Sequence, residues 1–333
     1  MKLVKTTIAL ATCSALSLSA VAADVPNAEV YGRADVSFQL SDNGKGDDSY
    51  TEVKSNASRI GLKGDYNLND DLTVVYKAEF EVDIDGDGDV WKARNQYIGL
   101  AGGFGEVLLG KNDSILKQSQ GKVDLFNDLD GDIKKLWAGE NRLSDTITYK
   151  SPKFSGFQLG ATYKAEEKAV KDDVTGNYID GEDAFSVAAF YGDKKLKKSK
   201  DFASVAMDSD VKSKAKGAGV EGTFDIIRGT VQGKLADVTL GLMLQNQEDV
   251  DTKEEMDGVM VSAKYKIGAK TTLKGQYQMA DYKDDEDKEL SGISVGVDYK
   301  LAKGAKLYAF YTTFDMDSGK DEDYLAAGIQ YKF

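Results

Sequence analysis

The stretch Val30-Tyr31-Gly32-Arg33-Ala34-Asp35-Val36-Ser37-Phe38-Gln39-Leu40 decides the fold of this chain. Every even-numbered residue in it is apolar or glycine, and every odd-numbered residue carries a polar group. Because successive side chains of a β-strand point to opposite faces, this alternation predicts a strand with one apolar and one polar face.

The same alternation recurs along most of the 333 residues, for example at 72–82, 258–267, 271–281 and 291–301. Two kinds of connection take turns between the alternating segments. Short connections are tight, and long ones are rich in Asp, Gly and Lys. A meander with short turns at one end and long polar loops at the other is typical of an outer-membrane barrel.

The alternation gives seventeen candidate strands. They are 30–41, 57–67, 72–82, 94–101, 105–112, 145–152, 157–165, 184–192, 200–207, 217–225, 228–235, 237–247, 258–267, 271–281, 291–301, 305–314 and 324–333. Bacterial single-chain barrels have an even number of strands, so one candidate is in error. We expect the error at 200–207 or within 217–235, where Ile226-Ile227-Arg228 also fits a strand interior.

Composition excludes several classes of protein. The chain has one Cys, two Pro and no His, so it is not a disulfide scaffold, and it lacks the commonest general base and metal ligand. Its net charge of −13 argues against nucleic-acid partners. No run of about 18 apolar residues follows the first 25, so no transmembrane helix is predicted. We expect no catalytic residue, no metal and no cofactor.

Residues 1–23 have the pattern of a cleaved secretory signal. Lys2 and Lys5 form a basic start, a mostly apolar stretch follows, and Ala20-Val21-Ala22-Ala23 offers small residues for cleavage. Residues 24–333 are then the mature barrel, exported through the periplasm. Removal of the two lysines takes the net charge to −15, which favours a mild preference for cations.

Four motifs make the chain identifiable: VYGRADVSFQL near the start, SRIGLKGDYNLNDDLTVVYKAEFE, YIGLAGGFGEVLLGK, and a last segment that ends on Phe333. Together they resemble the general trimeric porins of Gram-negative bacteria. The resemblance implies an all-β fold, a 16-stranded antiparallel transmembrane β-barrel with short periplasmic turns, long extracellular loops and an inward-folded third loop at about 114–139. It also implies a homotrimer, outer-membrane lipid and lipopolysaccharide around it, and recognition of Phe333 by the barrel-assembly machinery.

The function that this resemblance implies is passive diffusion of small hydrophilic solutes and ions through a water-filled pore. Members of the family narrow the pore between basic side chains on the wall and carboxylates on the third loop. The matching positions are, on the wall, Arg33, Arg59, Arg94 and Arg142, and on the loop, Asp124, Asp128, Asp130 and Asp132, with Asp124 and Asp128 preferred.

Several alternatives remain open. A solute-specific porin for sugars or phosphate has the same fold, and a secreted β-sandwich also alternates. An outer-membrane hydrolase would need a base other than His. Asp83–Gly88 matches half of a calcium loop, but Arg94 stands where a bidentate Glu is required. Lys194–Lys200 is a basic run, read as a solvated turn that could also attract anions.

Overall fold

The structure is a computed structural model that describes residues 27–44, 49–86, 90–165, 170–171, 178–179, 183–283, 288–316 and 321–333. Sixteen antiparallel strands close into one barrel, as the resemblance to the trimeric porins implies. The predicted signal segment and the predicted cleavage site lie outside the described residues. No helix within the described ranges is long and apolar enough to cross a membrane.

The strands are β1 (Asn27–Asp42), β2a (Tyr50–Ser55) with β2b (Arg59–Asn69), β3 (Leu72–Val82), β4 (Trp91–Gly102), β5 (Gly105–Asp113), β6 (Arg142–Lys150), β7 (Phe157–Lys164), β8 (Ala184–Gly192), β9 (Asp201–Ala215), β10 (Val220–Leu235), β11 (Val238–Asp249), β12 (Glu255–Ile267), β13 (Thr271–Lys283), β14 (Lys288–Ala302), β15 (Ala305–Asp315) and β16 (Glu322–Lys332). A two-stranded hairpin, Val170–Lys171 with Tyr178–Ile179, lies between β7 and β8.

The odd strand count is resolved in the second half of the chain. The two candidates 217–225 and 228–235 are one strand, β10, and the candidate 200–207 is the first half of β9. Ile226-Ile227-Arg228 is therefore strand interior. Ile226 faces inward and is buried, which disturbs the expected polar inner face.

Pairing between the first and last strands closes the barrel. β1 pairs with β16 from Arg33 opposite Lys332 to Asp42 opposite Asp323. The Phe333 carbonyl accepts a hydrogen bond from the Gly32 N–H at 3.0 Å. A Cβ on Gly32 would lie 2.3 Å from the Phe333 ring, so only glycine allows this approach.

The second strand is interrupted where it crosses the middle of β1. β2a and β2b both pair with β1, but Asn56, Ala57 and Ser58 between them leave the ladder. Ala57 has a positive φ of 51°, which turns the carbonyls of Asn56 and Ala57 out of the sheet. These carbonyls become part of the site described below.

Candidate functional site between the inner segment and the β1–β4 wall

The connection between β5 and β6, residues 114–141, crosses the interior of the barrel, and we call it the inner segment. It contains a short helix, α1 (Ile115–Ser119), and a 3-10 turn at Ile133–Lys135. The Ser114 side chain caps α1 by accepting a hydrogen bond from the Lys117 N–H. Most apolar side chains of the segment are fully buried.

One face of the inner segment packs on the wall from β11 to β16. Phe126, Ile133, Leu136 and Trp137 have no exposed surface. Their partners are inward-facing apolar side chains of the wall: Met243, Met256, Met260, Ala280, Tyr282, Leu290, Tyr308, Phe310, Phe314, Tyr324 and Ala326. Each fully buried large apolar side chain contributes roughly 1.5–3 kcal/mol, so this contact anchors the segment firmly.

Polar side chains of the wall bind the backbone of the inner segment. The Gln276 side chain accepts from the Leu125 N–H at 2.7 Å and donates to the Gly131 carbonyl at 3.0 Å. Other polar side chains of the wall contact the segment in the same way, among them Ser186, Ser204, Ser213, Gln232, Gln245, Gln247, Gln278, Lys274 and Tyr282. These bonds satisfy loop backbone groups that would otherwise be buried without partners.

A buried ion pair fixes the end of the inner segment. Arg228 on β10 contacts Glu140 at 2.7 Å and donates to the Gln245 side chain at 2.8 Å. Burial raises the pKa of the Glu140 carboxyl, and the charge of Arg228 opposes that rise. The segment is therefore attached to the wall at its centre and at its C-terminal end.

The other face of the inner segment turns toward β1, β2 and β3, where three charged side chains meet. Asp128 accepts hydrogen bonds from Arg33 at 2.9 Å and from Arg59 at 2.6 Å, through the same carboxylate oxygen. Arg33 also donates to the carbonyls of Asn56 and Ala57, at 2.6 and 2.9 Å, and Arg59 to the Ala57 carbonyl at 3.0 Å. The break between β2a and β2b thus holds both arginines in place.

Local geometry positions Asp128, and neighbouring charges keep its carboxyl ionised. Its φ of 70° is left-handed, and its N–H donates to the Asp132 carboxylate at 2.9 Å. Burial opposes ionisation, but the charges of Arg59, Arg33 and Arg94 outweigh it and hold the pKa of this carboxyl well below its usual range.

The other two predicted arginines pair with carboxylates of the wall. Arg94 contacts Glu79 at 2.8 Å and Glu81 at 2.6 Å. Arg142 contacts Asp113 at 2.9 Å, at the base of the inner segment. Neither hydrogen-bonds to a carboxylate of the inner segment in the described part of the chain.

The four predicted aspartates fall into two groups. Asp128 and Asp130 reach basic side chains of the wall, since Asp130 contacts Lys54 at 2.6 Å. Asp124 instead accepts from the N–H groups of Phe126 and Ile133, and its side chain is buried. Asp132 caps the 3-10 turn by accepting from the Lys134 N–H at 3.0 Å.

Two cavities lie along the open side of the inner segment, with volumes of about 420 and 440 Å³. Four residues line both of them: Arg59, Lys122, Asn127 and Asp128. These residues therefore lie where the two cavities adjoin. Among the described residues, no cluster of three carboxylates is placed to hold a metal ion.

Sequence reasoning missed Arg228, Glu140 and Lys54. The sequence does carry a signal for the inner segment that Glu140 belongs to, because several inward positions of β11 to β16 carry Met, Tyr or Phe. Apolar side chains on the inner face of a water-filled barrel need a cover, and the longest non-alternating stretch is 114–139.

The comparisons with known proteins agree with this architecture. The family model described as Gram-negative porin matches residues 6–319. The chain belongs to the Gram-negative porin family. The resemblance predicted from the four motifs is thereby confirmed.

Individual relatives share about a third of their residues with this chain over the matched stretches. This porin is 33% identical to the major outer membrane protein P.IB of Neisseria sicca over 127 residues, which is 37% of this chain and 36% of that protein. It is 32% identical to outer membrane protein U of Vibrio vulnificus over 195 residues, or 56% of each. The match thus spans about a third to a half of the length of these relatives.

Solved structures match over nearly the whole porin. The anion-selective porin from Comamonas acidovorans superposes with a TM-score of 0.77 at 20% identity, over 93% of this chain and 100% of that one. OmpT of Vibrio cholerae, solved in a trimer form, gives a TM-score of 0.62 at 18% identity, over 93% and 100%. The family and the closed barrel place this porin in the outer membrane.

Proposed function

We propose that this porin is a water-filled channel for passive diffusion of small hydrophilic solutes and ions. The observation that carries the proposal is the pair of cavities that meet at Arg59, Lys122, Asn127 and Asp128, between the inner segment and the β1–β4 wall. The inner segment, at about 114–139, is the constriction loop. Arg33 and Arg59 contact Asp128 directly, and Arg59 and Asp128 line the passage where the two cavities meet.

Opposed charges across this passage act on the solutes that enter it. Arg33, Arg59 and Arg94 stand on the wall, and Asp128 and Asp130 on the inner segment. The resulting transverse field orients dipolar solutes and disfavours apolar ones, which have no charge to interact with it. Asp124 and Asp132 contribute by shaping the loop, and Arg142 by holding its base.

We further propose that the passage prefers anions. Seven Lys and Arg side chains and five Asp and Glu side chains line the 420 Å³ cavity. Five basic and three acidic side chains line the 440 Å³ cavity. The net charge of the whole chain is negative and predicts a preference for cations, but the side chains that line the passage carry an excess of positive charge. We expect the lining charges to decide the selectivity, because ions respond most to the charges nearest to their path.

The proposal includes the surroundings of the barrel. The porin is a homotrimer, in line with the trimer form of its structural relative from Vibrio cholerae. Its outward side chains contact lipid and lipopolysaccharide, and Phe333 is recognised by the barrel-assembly machinery. It acts as a channel and not as an enzyme, in line with the porin family to which it belongs.

Liposome swelling tests the diffusion proposal directly. Liposomes that contain the porin should swell in neutral sugars at rates that fall smoothly with solute size and do not saturate with concentration. Liposomes with heat-denatured porin are the control. Swelling that saturates for one sugar would favour the solute-specific alternative, and the absence of swelling would refute the channel.

A further inference from the structure

The basic run found in the sequence forms an ordered turn inside one mouth of the barrel. It joins β8 to β9 at the end of the barrel that carries the short turns. Asp193 organises it: its carboxylate accepts from the N–H groups of Lys195, Lys197 and Lys198, at 2.9, 3.0 and 2.9 Å. These backbone hydrogen bonds lower the pKa of Asp193 to about 2, so its carboxylate is ionised at neutral pH.

The lysines of this turn surround a cavity of about 410 Å³, together with two lysines from β6 and the turn that follows it. We call them the lysine cluster: Lys150, Lys153, Lys194, Lys195, Lys197 and Lys198. Among the described residues that line this cavity, Asp193 is the only carboxylate, and its oxygens are occupied by backbone N–H groups. Within the described part of the chain, Lys150 is the only one of the six that forms an ion pair within 4 Å, with Glu106 at 3.9 Å.

The cavity belongs to the lumen and not to the lipid-facing surface. Lys150 and Gln158 point inward from β6 and β7, like Phe190 on β8, and all three line it. Lys194 lines this cavity and also the 420 Å³ cavity that leads to Asp128. A solute leaving the narrow part of the passage therefore reaches the lysine cluster next.

The lysine ammonium groups at this mouth of the barrel repel one another, and this repulsion costs free energy. The Lys194 side chain is accessible to water, but the barrel wall encloses it. This enclosure, and then the charges of Lys150 and Lys122, lower the pKa of Lys194 to about 8, with Asp113 opposing the effect. A bound anion would relieve the repulsion, and an anion with several negative oxygens would relieve most of it.

We propose that the lysine cluster is a binding site for small multivalent oxyanions, of which phosphorylated solutes are the chemical class that fits best. The inference rests on the proposed channel and adds a site that retains such anions at the turn end of the passage. Ammonium groups on flexible stems bind phosphate as point charges, so we expect recognition of charge and not of one solute.

Conductance block by inorganic pyrophosphate tests the site. Wild-type porin in an uncharged phosphatidylcholine bilayer should lose chloride conductance saturably when pyrophosphate is added at the turn end. In the variant K194Q/K195Q/K197Q/K198Q, the half-blocking concentration should rise about tenfold or more, because four of the six ammonium groups that would contact the anion are lost. The matched control K212Q/K214Q/K216Q/K253Q removes four exposed lysines at the other end and should be blocked like wild type.

The other outcomes separate the site from the channel. Equal block in both variants, or no block of a conducting wild type, would overturn the site. Block that disappears in phosphatidylglycerol bilayers would assign the cluster to lipid headgroups and also overturn it. Calorimetric titration of the porin in neutral detergent reads pyrophosphate binding independently, so binding without conductance would refute the channel and keep the site.

Discussion

Arg228 and Glu140 lie 2.7 Å apart, with 0% and 4% of their side chains exposed. Arg228 belongs to β10 and Glu140 to the last residues of the inner segment, so the contact joins the loop to the wall. A charge buried without its partner is far more costly than a buried pair. The position of the inner segment should therefore depend on both residues.

Replacing only one partner should release the end of the inner segment. We expect Arg228→Met to lower the free energy of unfolding by about 3–5 kcal/mol, because the buried Glu140 carboxylate loses the cation it pairs with. Urea unfolding of the refolded porin measures this. The double variant Arg228→Met with Glu140→Leu should recover most of the loss, and a single variant as stable as wild type would contradict the account.

Removing the shared carboxylate should strengthen the anion preference. Asp128→Asn leaves Arg33 and Arg59 without a counter-charge at the narrowest part of the passage. The reversal potential in a salt gradient should shift toward the chloride potential, and the shift should shrink at high salt. Asp251→Asn, in an exposed loop, is the control. A shift toward the cation potential would disprove the proposed arrangement.

Selectivity should depend on pH through Lys194. A lysine with its pKa lowered to about 8 is charged below that pH and neutral above it. Anion preference should therefore fall as the pH rises from 7 to 9, and Lys194→Gln should remove most of this step. Reversal potentials at each pH measure it. The same step in the variant would assign the titration to other groups.

Loss of the Trp137 anchor should widen the passage. Trp137→Ala leaves a void against β12 and β13, at a cost of about 3–5 kcal/mol in the free energy of unfolding. A Cβ on Gly258 would lie 2.6 Å from the Trp137 indole, so Gly258→Ala should loosen the segment as well.

Polymer exclusion measures this widening. Larger poly(ethylene glycol) molecules should enter both variants and reduce their conductance. Gly229→Ala is the matched control, because a Cβ there would meet no atom within 4 Å. An unchanged exclusion size in Trp137→Ala and Gly258→Ala would contradict the anchoring role.

The barrel could be predicted from the sequence because the alternation of apolar and polar residues depends only on neighbours along the chain. The alternation of Val30–Leu40 needs no knowledge of other residues, and β1 forms as expected with Arg33 on the inner face. The alternation does not predict the inner face correctly where the inner segment packs on the wall. Ile226 is apolar on the inner face because it packs on Leu116 and Ala138, which are distant in sequence.

The roles of the loop aspartates could not be separated for the same reason. Asp124, Asp128 and Asp132 lie in one short polar run, and nothing local distinguishes them. Asp128 reaches the arginines because its own φ is positive and because Asp132 binds its N–H. Asp124 turns inward because Phe126 and Ile133 present N–H groups to it. The break at Ala57, which positions both arginines, has no signal in the alternation either.

A single cysteine beside Asp128 tests the central claim most directly. Asn127 is exposed and lines both cavities, and the chain has no cysteine after Cys13. In Asn127→Cys, a bulky charged methanethiosulfonate reagent should sharply reduce single-channel conductance. Wild type and Val205→Cys, whose side chain faces lipid, should be unaffected. Unchanged conductance in fully modified Asn127→Cys would show that ions do not pass between the inner segment and the β1–β4 wall.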